Sequence, residues 1–135
     1  MAQAQDDERA AAILSRRAAG LLALDEALAE LADANCTVTI AAVIAERLRL
    51  QAQTVSTALE ADSDEPISVM CRAAGFSLNG FSALLRMRRR SNIGTKGASD
   101  AMAFFSGISR AVAERMLQQI APRKPERRTF KTFRR

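Results

Sequence analysis

Between Val69 and Arg90 the chain reads VMCRAAGFSLNGFSALLRMRRR, and the triplet Gly75-Phe76-Ser77 divides this stretch into two short helical segments. Glycine reaches the left-handed conformation that ends a helix, and a serine hydroxyl caps the helix that follows. Met70 and Ala74 before the corner, and Phe76, Phe81 and Leu84 after it, fall at spacings that direct them into one shared core. Such a corner can form a DNA-reading helix-turn-helix or an ordinary helical hairpin. Both require two helices that meet sharply and bury a common apolar centre.

The rest of the chain extends the helical pattern. Alanine and leucine supply much of the apolar content, aromatic residues make up 4% of the chain, and β-branched residues form no long run. That balance predicts an all-α fold. A first helix is expected from about Gln5 to Ala19, with Asp6, Asp7 and Glu8 near its positive end and Arg16 and Arg17 near its negative end. Gly20 stops it, and a second helix places Leu21, Leu24, Leu28 and Leu31 on one face. After the turn-like Asn35-Cys36-Thr37, Thr39 caps a third helix with Ile40, Val43, Ile44 and Leu48 as its core stripe. A short helix carrying Val55 and Leu59 follows, then the acidic loop Asp62–Pro66, with Pro66 suited to the first turn of the helix leading into the corner. Beyond a flexible loop at 91–97, Asp100 opens another helical stretch. Within it Gly107-Ile108-Ser109 repeats the glycine–apolar–serine corner at a spacing of 32, and Val112, Met116 and Ile120 share one face. The period suits stacked helical hairpins. The expectation is one all-α domain over residues 1–121, of about seven or eight short helices packed as HEAT-like hairpins or a helix-turn-helix-containing bundle. Residues 122–135, with seven bases, one acid and two prolines, read as a disordered basic tail.

Charge is distributed unevenly. Residues 1–65 carry twelve acids and five bases, whereas residues 66–135 carry three acids and fifteen bases. Such polarity suits an acidic partner for the second half, or head-to-tail self-association. The longest uncharged runs, Ala34–Ala45 and Ala73–Leu85, fall short of the roughly 20 residues that a membrane span needs. The N-terminus begins acidic, without the basic-then-apolar design of a signal peptide, so a cytoplasmic setting is expected. Cys36 and Cys71 lack metal-ligand spacing and the chain has no histidine, so no metal or other cofactor is expected. Cys71 reads as a small core residue.

The same composition argues against an enzyme. With neither histidine nor tyrosine, acid–base work would fall to carboxylates or lysine, and the acids cluster as a solvated face. Gly94-Thr95-Lys96-Gly97 has neither the order nor the strand-to-helix setting of a phosphate-binding loop. Contacts with an acidic partner are expected from two places. A helix-turn-helix would offer Asn79, Ser82 and Arg86 to a major groove and Arg88, Arg89 and Arg90 to phosphates. Leu78, Gly80 and Ala83 nevertheless stand where base-reading groups belong, and arginines at a helix C-terminus also complement its dipole. In the tail, Arg123, Lys124, Arg127, Arg128, Lys131, Arg134 and Arg135 interleave with Phe130 and Phe133, a composition that suits nucleic acid or an anionic membrane surface.

Over residues 20–90, the run Asp25-Glu26-Ala27-Leu28-Ala29-Glu30-Leu31-Ala32 and the run Val69–Gly75, followed by Phe81 and Leu84-Leu85, resemble a family of bacterial helical proteins, domain of unknown function 2336. The resemblance implies stacked helix pairs and a short member or excised C-terminal portion of the family. It carries over no activity, cofactor or catalytic residue. The leading expectation is a non-enzymatic interaction module that docks a protein partner or a second copy through acidic and basic faces. The alternative is a DNA-binding protein using residues 69–90 and the tail.

Overall fold

How each helix ends sets where the next one goes. The computed structural model describes residues 2–91 and 98–120, and these form eight helices. They are α1 (Ala2–Ala18), α2 (Leu24–Asp33), α3 (Thr37–Leu48), α4 (Ala52–Glu60), α5 (Glu65–Ala74), α6 (Leu78–Arg90), α7 (Ala98–Gly107) and α8 (Arg110–Ile120). Four of them, α1, α2, α3 and α5, end in the same way. A residue with positive φ (Gly20, Asn35, Arg49 and Gly75, respectively) reverses the backbone. The next N–H then bonds back to a carbonyl five residues earlier, as Leu21 does to Arg16, Cys36 to Leu31, Leu50 to Ala45 and Phe76 to Cys71. This is the Schellman arrangement, which occupies carbonyls that a helix end otherwise leaves free. An apolar residue follows each reversal, and Cys36, Leu50 and Phe76 are buried by it.

The predicted corner forms as expected. Gly75 has φ 87°, and the Ser77 hydroxyl accepts from the N–H groups of Asn79 and Gly80. Met70, Ala74, Phe76, Phe81 and Leu84 are all buried in one core. Helix α5 lies at its centre, in contact with α3, α4, α7 and α8. Of its ten residues, seven are buried. Phe81 of α6 stacks on Phe105 of α7 at 4.5 Å between ring centroids, and the Arg72 guanidinium lies over the Phe105 ring at 5.3 Å. Fully burying side chains of this size contributes about 1.5–3 kcal/mol each.

Several local expectations shift. Helix α1 starts at Ala2, so the acidic run is not in its first turn. Helix α2 starts at Leu24 because the Gly20 reversal leaves residues 21–23 outside any helix, and Leu21 is 73% exposed. Its first turn is held instead by Glu26, which accepts from the Ala23 N–H at 3.1 Å. Helix α3 starts at Thr37 with Cys36 in the cap position, because the reversal at Asn35 delivers the chain there three residues ahead of the expected cap, Thr39. Val43 is half-buried. In α8 the buried residues are Ala113 and Leu117, while Val112 and Met116 are half-buried and Ile120 is exposed. The two glycine–apolar–serine corners are only half alike. Ser109 accepts from the Val112 N–H, as Ser77 does from Asn79, but Gly107 is the last residue of α7 and its φ is not positive. Of the expected loop at 91–97, Ser91 caps the end of α6 and residues 92–97 lie outside the described residues, as does the tail at 122–135.

Candidate interaction surface around α6

Helix α6 carries the residues that sequence reasoning assigned to an acidic ligand. Its N-terminus is fixed by a residue far away in the chain. Asp25, in the first turn of α2, accepts from the Ser77 N–H at 2.8 Å through Oδ1 and from the Ser77 hydroxyl through Oδ2. Gly80 allows this approach, since a Cβ there would lie 2.5 Å from Asp25 Oδ1 and 3.3 Å from Leu28. At the other end Arg86 lies 3.8 Å from Asp33, and Arg90 donates to the Ala32 carbonyl at 2.7 Å and to Asn35 Oδ1 at 3.0 Å. Contacts run start to start and end to end, so α2 and α6 pack in parallel.

The arginines then part company. Arg88 is only 1% exposed. Its Nε donates to Asp64 at 3.0 Å, Nη1 to the carbonyls of Ala58 and Leu59, and Nη2 to those of Ala61 and Ser63. It therefore closes the end of α4 and holds the acidic loop, so the sequence expectation that it meets phosphate is corrected. Arg90, expected on phosphate as well, closes the end of α2, though it remains exposed. Arg89 lies 4.0 Å from the other Asp64 oxygen. Asn79 and Arg86 are exposed and Ser82 is half-buried, all on the outward side of α6. The structure thus brings Asn79, Ser82, Arg86, Arg89 and Arg90 to one face and removes Arg88 from it. The tail bases Arg123, Lys124, Arg127, Arg128, Lys131, Arg134 and Arg135 lie outside the described residues.

Other arginines, unmarked in the sequence reading, do the same work around α5. Its last four carbonyls are all engaged. Those of Cys71 and Arg72 accept from the N–H groups of Phe76 and Gly75, that of Ala73 from Arg110 Nε at 3.0 Å, and that of Ala74 from Arg47 Nε at 2.9 Å. Arg72 in turn donates to the Ile108 carbonyl at 2.7 Å, tying the two corners together. A cation at a helix C-terminus also complements the dipole. Each of these three arginines stands within a turn of a helix boundary, but its partner lies 27 to 37 residues away.

Cys71 is fully buried; burial, and secondarily the nearby Asp25, push its thiol up to about 12. A thiol held protonated is neither a nucleophile nor a metal ligand. Among the described residues no group of three His, Cys, Asp or Glu side chains could hold a metal, no buried side-chain polar atom lacks a hydrogen bond, and no helix is long and apolar enough to cross a membrane. A cleft of about 290 Å³ between α3, α4 and α6 is lined by Val38, Leu59, Glu60 and Met87 among others. Its polar lining comes from Thr37, Ser56, Glu60, Arg88 and Ser91.

Fold and surface together define a small all-α protein whose corner is locked from within. The profile of a family of uncharacterised proteins conserved in bacteria (DUF2336) matches residues 1–121, and the chain belongs to that family. The match spans more of the chain than the stretch 20–90 on which the sequence resemblance rested. No curated protein and no solved structure matches it.

Proposed function

We propose that this protein is a non-enzymatic helical interaction module, cytoplasmic in setting, that docks a protein partner or a second copy of itself. The observation carrying this reading is the inward commitment of α6. Arg88 is spent on α4 and the acidic loop, Arg90 on α2, and Arg86 and Arg89 lie beside Asp33 and Asp64. A helix that reads DNA projects from its domain with free cations on phosphates. This one lies along an acidic helix whose Asp25 and Asp33 would repel the backbone of a duplex. Large apolar side chains are meanwhile left exposed at Leu21, Val38, Leu78 and Ile120, a surface suited to protein contact.

The test is fluorescence anisotropy with mixed-sequence duplex DNA at low and physiological salt, comparing the full chain with one ending at Ala121. The interaction reading expects the shortened chain to show no salt-sensitive binding. Tight, salt-sensitive binding that survives truncation, and is lost when Arg86, Arg89 and Arg90 become glutamine, would replace it with the helix-turn-helix reading. Binding confined to the full chain would assign the contact to the basic tail.

A further inference from the structure

Among the described side chains of α1, residues 7–18, Ala10 and Ile13 are buried and the rest are exposed. The helix packs chiefly on α2, through Ala10, Ile13 and an Arg16–Glu30 ion pair at 2.8 Å. On the side turned away from α2, Asp7, Ala11, Leu14 and Ala18 follow one another at spacings of four, three and four, and all are exposed. That is the repeat by which one helix presents a seam to another. Just past the helix end a second apolar residue, Leu21, is uncovered. Leu21 occupies the position that Cys36, Leu50 and Phe76 occupy after the other three reversals. Those three are 3–4% exposed, whereas Leu21 is 73% exposed. An apolar residue that its own fold buries three times out of four lacks its cover here.

We infer that the outer face of α1 is a self-association surface whose occupant is α1 of a second copy, packed antiparallel. This deepens the interaction-module reading and rests on it. The direction follows from charge. In a parallel pair the Asp7 side chains would face each other across the seam, and like charges opposed in this way repel. In an antiparallel pair Asp7 packs beside Leu14 and Ala18 of the other copy, next to the opposite charge of Arg17, and the two-fold axis makes this contact twice. Leu14 then meets Ala11, a large residue against a small one, in both directions.

Sedimentation equilibrium of the full chain over a concentration series tests this, with circular dichroism confirming that each variant stays folded. The native chain should move from monomer to dimer as concentration rises. Leu14→Glu and Arg17→Asp should each weaken association by tenfold or more, and Asp7→Arg combined with Arg17→Asp should restore it. These positions are exposed, so the variants keep the core. A native chain that stays monomeric throughout would overturn the inference while leaving the interaction module to a different protein partner. A dimer unchanged by Leu14→Glu would overturn it too, by placing the contact elsewhere. Failure of the double reversal to restore association would overturn the antiparallel arrangement.

Discussion

Arg88 brings five N–H donors to a site that offers one carboxylate and four main-chain carbonyls, which explains how so large a cation is buried. Removing one member of such a set strands the others. Arg88→Met is expected to destabilise the fold by about 3–5 kcal/mol in urea unfolding, and Arg88→Lys to recover only part, since an ammonium has fewer donors and no planar fork. Gly80 is a second residue-scale test. Alanine is ordinarily better than glycine in a helix by about 1 kcal/mol, yet here its methyl group would displace Asp25 from Ser77. Gly80→Ala should therefore lower stability in the native background and raise it once Asp25→Ala has been introduced. Cys71 gives the pH test. Its thiol ordinarily titrates near 9.0, and folding raises that to about 12. Between those values the unfolded chain releases a proton that the native state keeps, so stability falls as pH rises through the window. The native chain should lose up to about 1.4 kcal/mol per pH unit relative to Cys71→Ala between about pH 9 and 12.

At the scale of elements, the corner separates what local sequence can specify from what it cannot. Gly75 and Ser77 act on groups within five residues, through a backbone conformation open to glycine and a hydroxyl at the cap, so their roles were legible. The cations Arg47, Arg72 and Arg110 act across the corner on carbonyls of other elements, and no spacing in the chain announces them. Arg110→Ala frees the Ala73 carbonyl and should cost about 1.5–3 kcal/mol. In hydrogen exchange it should speed α8 and the end of α5 while leaving α2 unchanged. The stripe drawn through Val112, Met116 and Ile120 was close in period yet displaced by one residue. A single helical face leaves its rotation undetermined until a neighbour such as α5 claims Ala113 and Leu117.

Over the whole molecule, the acidic first half and basic second half fold onto each other rather than standing apart. Asp25 and Asp33 lie along α6, and Asp64 takes Arg88 and Arg89. The charge polarity that suggested an external acidic partner is thus partly consumed inside the domain. Packing is uneven in a way that exchange can read. Helix α5, enclosed by four others, should hold the most protected amides, and α1, resting chiefly on α2, the least. Slow exchange in α1 at high protein concentration, lost on dilution, is what self-association along its outer face would produce.

The sequence by itself determined the helical class, the sharp corner at residues 75–77, the burial of its apolar residues and the membership of Cys71 in the core. Those properties depend on backbone preferences and apolar spacing that act within a few residues. Only the tertiary structure decided what the arginines do. A guanidinium serves a phosphate, a carboxylate or the end of a helix equally well, and which it meets depends on elements brought beside it from far along the chain.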